Sequence, residues 1–254
     1  MIDESNPAGR LHKILSMAKR QADGKKVREV WAEAVGLEND DMIVTKGVVA
    51  LYTLSQEIQS LIKMNESLNH DLYLSSFNRI DKTFFPLILN AEWKTAKGHL
   101  TDEAMTRLQF CAEELTKFYS EESLEEEDLQ DIIEITDNLF DALNQSSFSD
   151  ILRLTLLEEV QKVRNAIVIY KIKGAKGLKE ALQGTIGAVV VSQEDLKMES
   201  EQNKEVIQKI GQLIDKLDAF TSRALKLKRM LTKPIRFLLE KVTDSECEEE
   251  IEGA

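Results

Sequence analysis

The chain has 254 residues, a 43% apolar fraction and a net charge of −12, enough apolar material to fill a core without disulfides or metal and an acidic balance that repels nucleic acid and anionic membranes at long range. Proline is confined to Pro7, Pro86 and Pro234, and glycine numbers 11, so helix breakers are scarce. The two cysteines, Cys111 and Cys247, form no framework of paired thiols and fit a reducing compartment.

The first residues are acidic and polar and carry no basic-then-apolar leader, and the apolar runs, such as Gly187 to Val191, fall far short of the roughly 20 residues that cross a bilayer. The expectation is a cytoplasmic protein with no membrane span.

In chain order, Asn6-Pro7 offers a capping side chain followed by proline at a first turn, and Leu11, Ile14, Leu15 and Ala18 mark one apolar face up to Asp23-Gly24. A second short helix carries Val27, Val30, Trp31 and Ala34 and stops at Gly36, completing a small hairpin. Asn39 or Asp40 caps a longer helix with Val44, Val48, Leu51, Leu54, Ile58, Leu61 and Ile62 on its face. Between 67 and 100 the pattern is mixed: a helix to about Asp81, a kink at Pro86, and no clean period through Phe84-Phe85-Pro86-Leu87-Ile88-Leu89.

Thr101, followed by Asp102 and Glu103, restarts a helix through Met105, Leu108, Ala112, Leu115 and Phe118, and Ser123 caps the next, which runs to about Leu143. Ser149 caps a helix bearing Leu152, Leu156, Val160, Val163, Ile167 and Tyr170, apolar on so many sides that it is expected at the centre of the bundle and broken by Gly174 and Gly177. Leu178, Leu182, Ile186 and Val190 recur every four residues, which favours a helix over a strand to Val191. A long C-terminal helix is expected from about Glu194 to Thr232, then a short one to Val242.

Along that long helix Val206, Ile210, Leu213, Leu217, Phe220, Ala224, Leu227 and Leu231 follow at alternating spacings of four and three, the heptad period of a helix laid along another. Ile207 and Ile214 widen the stripe, which favours packing among several helices of one chain over a free-standing coiled coil, while leaving the stripe as the candidate interaction seam. The predicted fold is all-α: an elongated multi-helix bundle with a heptad-patterned C-terminal helix. Its regions are 1–90, 101–242 and a disordered acidic tail 243–254, unless 1–242 is continuous; the best boundary lies between Phe85 and Thr101.

Charge is segregated. From Glu121 to Asp141 there are ten acids and no bases, and Glu125, Glu126, Asp131 and Glu134 make the candidate acidic face. Lys19, Arg20, Lys25, Lys26 and Arg28 make the N-terminal hairpin basic, and Arg223, Lys226 and Arg229 do the same near the C-terminus. The plain reading is solvated helix faces; the functional one is docking steered by charge, with phosphate contact at a basic end behind it.

No catalytic signature emerges. His12, His70 and His99 are isolated, and neither His70 nor His99 has a glutamate three positions before it, as a di-iron bundle requires. Glu92-Trp93-Lys94, with Asp81 upstream, has a Glu-x-Lys order used by one nuclease class, but that class needs a sheet. Gly174-Ala175-Lys176-Gly177 lacks the spacing and ending of a phosphate-binding loop. No cofactor or metal is expected.

Asn6-Pro7-Ala8-Gly9-Arg10-Leu11 followed by Val30-Trp31-Ala32 resembles the opening of uncharacterised bacterial helical proteins over about the first forty residues. The resemblance implies a bacterial cytoplasmic protein, an accessory in defence or stress loci, and brings no catalytic residue with it. The sequence thus predicts a non-enzymatic scaffold or adaptor that binds a protein partner or a second copy of itself. The second reading is a nucleic-acid-binding regulator using the basic hairpin, and the third an enzyme with a site of dispersed carboxylates.

Overall fold

The computed structural model describes residues 5–117, 119, 121 and 126–225. Among these the chain is all-α; no strand is present, only an isolated antiparallel bridge between Lys26 and Glu92. No described helix is long and apolar enough to cross a membrane. The chain divides into two compact units, Met1–Glu121 with Val168–Gly174, and Glu122–Ile167 with Ala175–Ala254.

The first unit holds α1 (Pro7–Lys19), α2 (Val27–Val35), α3 (Asp41–Lys63), α4 (His70–Leu74), α5 (Phe77–Phe84), α6 (Lys94–Lys97) and α7 (Asp102–Thr116). Asn6 caps α1, its side-chain oxygen accepting the Gly9 amide at 3.0 Å, and Pro7 occupies the first turn where a missing N–H costs nothing. The same asparagine is buried and turns its amide nitrogen to the Ala112 carbonyl and the Thr116 hydroxyl, each at 3.0 Å, so one side chain starts α1 and fastens it to α7. Asp40 caps α3 by accepting the Met42 and Ile43 amides, and Gly36 ends α2 at φ +79°, the left-handed conformation in which glycine has no Cβ penalty.

Residues 85–101 do not separate two domains; they close the first unit. After the cis Phe85–Pro86 bond the chain runs back along the start of α2: the Val27 and Arg28 amides donate to the Ala91 and Leu89 carbonyls, and the Trp93 amide donates to Lys25 at 2.8 Å. Trp93 is fully buried, its indole N–H donating to the Ala18 carbonyl at 3.0 Å and its ring edge meeting Trp31 with centroids 5.2 Å apart; Trp31 in turn lies 5.6 Å from Phe84. Aromatic pairs at these separations stabilise beyond the area they bury. Periodicity could not place this segment because it is held by backbone pairing and one indole, not by a repeating face. The division falls instead after Glu121, and short α10 (Tyr170–Lys173) returns to the first unit.

The second unit holds α8 (Glu126–Gln145), α9 (Asp150–Val168, whose last residue is assigned to the first unit), α11 (Ala175–Val191), α12 (Gln193–Met198) and α13 (Ser200–Ala224). Its centre is α13, packed on α8 and α11, and not α9 as the sequence predicts. Only one stripe of α9 is buried, including Leu152, Leu156, Val160 and Val163, while Ile151 and Leu154 stand 82% and 60% exposed. Gly174, at φ +65°, separates α10 from α11, but Gly177 lies inside α11 and breaks nothing.

The helix expected to run unbroken from Glu194 is interrupted twice. α12 ends at Met198, and Asn203 leaves helical geometry at φ −122°, ψ 21°. Asn203 is buried and bridges elements: its oxygen accepts from the Ser147 amide and hydroxyl at 3.0 and 3.1 Å, and its nitrogen donates to the Glu199 carbonyl. A side chain that must satisfy the α8–α9 loop thus overrides local helical preference. The expected continuation to Thr232, the short last helix and the acidic tail lie outside the described residues.

Candidate functional site

Six seam residues, Val206, Ile210, Leu213, Leu217, Phe220 and Ala224, lie together on the buried face of α13, none more than 8% exposed. Ile207 and Ile214 are buried beside them, so the stripe is wide and is spent within the second unit. As far as Ala224 it offers no surface to a partner. Leu227 and Leu231 lie outside the described residues.

The charges segregated in sequence meet in space. On α8, Asp128 accepts Arg223 at 2.7 Å, Asp131 accepts Lys216 at 2.6 Å, and Asp137 accepts Arg164, whose guanidinium also sits 3.8 Å from the centre of the Phe140 ring. The acidic helix is therefore laced to basic residues of α13 and α9, pairs that tie helices together and, being partly exposed, stabilise modestly. Glu134 is exposed on the same helix; Glu125 and the side chain of Glu126 lie outside the described residues, as do Lys226 and Arg229.

The N-terminal hairpin is neutralised in the same way. Lys19 pairs with Asp102, Lys25 with Glu33 and Arg28 with Asp41 at 2.6 to 2.8 Å, and the Lys26 ammonium donates to the Asn90 carbonyl. Arg20 is exposed. Three of the five predicted patch bases are thus paired with carboxylates of the first unit itself and Lys26 is held by a carbonyl, which weakens the concentrated positive field that phosphate binding requires.

The dispersed carboxylates do not converge. Glu92 pairs with Lys94 at 2.6 Å, and that contact holds its carboxyl below the usual range. Asp81 instead accepts from Ser55, Gln56 and Gln59 of α3. His12 lies 3.4 Å from the Ser16 hydroxyl and His70 contacts the Asn65 carbonyl at 3.0 Å. Among the described residues no group of His, Cys, Asp and Glu could hold a metal ion. Burial pushes the Cys111 thiol up to about 12, the mark of a space-filling cysteine and not of a nucleophile.

Two features escaped the sequence reading. In the first unit Arg10 and Glu121 form a largely buried ion pair at 3.3 Å, with side chains 11% and 7% exposed. Arg10 also donates to the Ile172 and Lys173 carbonyls, and Tyr119 donates to Glu121 at 3.3 Å. Burial and the nearby carboxylate push the Tyr119 and Tyr170 hydroxyls up. This cluster grips the two places where the chain leaves the first unit, after Glu121 and after Gly174, which makes it a structural clasp. The distance in sequence between Arg10 and the other members, more than 100 residues, hid it.

The second feature is an uncovered apolar end of the second unit. Ile151 and Leu154 open α9, Val190 and Val191 close α11, and Met198 closes α12, at exposures of 82, 60, 46, 86 and 76%. The chain path gathers them: the Ser149 amide donates to the Glu199 carboxylate at 2.7 Å, Ser147 is held by Asn203, and Val191 is one residue from the start of α12. Singly exposed apolar residues are ordinary; five large ones at neighbouring helix ends of a small unit make the candidate interaction surface.

No family model, characterised protein or solved structure matches the chain.

Proposed function

We propose that this chain is a non-enzymatic helical docking protein whose contact surface is the apolar end of the second unit, formed by Ile151, Leu154, Val190, Val191 and Met198. The observation that carries the reading is the exposure of these side chains beside a core in which the heptad stripe is buried as far as Ala224. Carboxylates without a convergent arrangement, and a thiol held protonated, give no support to the catalytic reading. The internally paired basic hairpin gives little to the nucleic-acid reading.

The test is a photo-reactive residue placed at Val191 in the full chain, expressed in its native cell. Discrete covalent adducts that vanish when Ile151→Asp is added are the expected result. Equal adduct yields with and without Ile151→Asp, or adducts no stronger than from a probe at exposed Met42 in the first unit, would refute it.

A further inference from the structure

The apolar end has an acidic surround. Glu194, Asp195, Glu199 and Glu201 flank Met198 along α12 and the start of α13, against Lys197 and Lys204, and Glu199 accepts the Ser149 amide at the start of α9, while Arg153 is taken by Asp150. A fitting occupant is therefore apolar and basic. The chain contains one such stretch: Lys226 to Lys241 has six bases against the single acid Glu240, and carries Leu227, Met230, Leu231, Ile235, Phe237, Leu238 and Leu239.

Reach limits whose stretch it is. The apolar end adjoins the N-terminus of α13, whereas Lys226 follows its C-terminus, and 25 helical residues at 1.5 Å each separate the two by about 37 Å. From Leu225 to Leu231 a fully extended chain covers only about 20 Å, so Leu227, Met230 and Leu231 cannot return to the apolar end of their own molecule. Phe237 to Leu239 can span that distance, but the stretch as a whole can be seated only on the end of another copy.

We propose, resting on the docking reading above, that the apolar end of the second unit receives the stretch Lys226–Lys241 of a second copy of this chain. The contact is head-to-tail, so it joins unlike surfaces and propagates copies into rings or open chains; it does not stop at a symmetric pair. Opposite charge accelerates the encounter and is screened by salt, while the apolar side chains supply the salt-resistant part.

Two full-length variants test it by light scattering across concentration: Ile151→Asp with Val191→Asp disables the end, and Lys228→Glu with Arg229→Glu and Lys233→Glu disables the stretch. Circular dichroism checks that both remain helical. The unaltered chain is expected to gain mass with concentration, more at low salt, and each variant alone to stay monomeric. Mixed together, the variants are expected to form a species of twice the chain mass and go no further, because each mixture holds one working end and one working stretch. A synthetic peptide of residues 226–241 should bind the stretch-disabled variant and not the end-disabled one.

A monomeric unaltered chain, association that survives the stretch substitutions, or variants that fail to complement would each overturn the head-to-tail proposal. The photo-crosslinking at Val191 separates that failure from failure of the docking reading: adducts to other proteins would keep the surface and discard the second copy.

Discussion

Gly174 is the position where the clasp can be broken with a single methyl group. Its backbone, at φ 65°, ψ −159°, lies in a region almost closed to residues with a Cβ, and occupying it with alanine costs about 1–3 kcal/mol. The added Cβ would also stand 2.9 Å from the Arg10 Cζ and against the Glu121 carboxylate. Something must then shift, and separating a buried pair of this kind fully costs about 3–5 kcal/mol. A partial displacement added to the backbone strain places Gly174→Ala at roughly 2–5 kcal/mol against the first unit. A unit-specific reporter exists: Cys111 is buried in that unit, with its thiol held protonated up to about 12, so it reacts only after opening. In a Cys247→Ser background, thiol labelling under conditions where closing outruns reaction reads the open population, and tenfold per 1.4 kcal/mol predicts labelling roughly 30- to 3000-fold faster. Labelling within threefold of the parent would refute the reasoning. Adding Arg10→Met should recover part of the loss if the ion pair is what the methyl strikes, a coupling of about 0.5–3 kcal/mol in a double-mutant cycle; strict additivity would reduce the cost to backbone strain alone.

Gly187 is the converse case: a Cβ there meets nothing within 4 Å inside α11, so Gly187→Ala should stabilise the second unit by up to about 1 kcal/mol in denaturant unfolding followed by a probe in that unit. Trp93→Ala should cost the first unit about 3–5 kcal/mol, seen as earlier exposure of Cys111, because it removes a fully buried ring and leaves the Ala18 carbonyl without its indole donor. Burial lowers His12, so folding favours its neutral form; the unfolded chain binds the proton first, and the contribution is complete above about pH 6.5 and is lost as pH falls from there towards the lowered native value. His12→Gln should therefore flatten stability between pH 7 and 5 relative to the parent, and parallel curves would contradict it. Leu217→Asp, which places a carboxylate at a fully buried point of α13, should unfold the second unit outright, whereas Val191→Asp, at 86% exposure, should leave its circular dichroism and melting unchanged.

Helix starts and stops were legible where a single local interaction sets them. Asn6-Pro7, Asp40 and Gly36 act as their residue types dictate, because capping needs only the side chain and the next three amides. Elements governed by distant partners were not. Asn203 interrupts a strong helical pattern because the Ser147 amide and hydroxyl, 56 residues away, require its oxygen. Residues 85–101 lack a period because their order comes from pairing with α2 and from the Trp93 indole. The stripe of α13 shows the limit of periodicity for function: the spacing marks a buried face and is silent about whether the cover is the same chain or another.

The same limit governs charge. Ten acids without a base between Glu121 and Asp141 read on paper as a solvated face or, failing that, a surface for a basic partner, yet Asp128, Asp131 and Asp137 meet Arg223, Lys216 and Arg164 of their own unit. A run of one sign along a helix leaves an unbalanced field only if the helices beside it bring no counter-charge, and here α13 and α9 both do. What distinguishes the apolar end is that nothing described covers it: Ile151 and Val191 occupy helix ends, where the bundle has no further layer to bury them. Burying even three such side chains contributes about 4–9 kcal/mol before the cost of association, and exposed charges add little to it, so the proposed head-to-tail contact is expected to be weak. If that proposal holds, its signature is a light-scattering mass that is both concentration-dependent and lower at high salt.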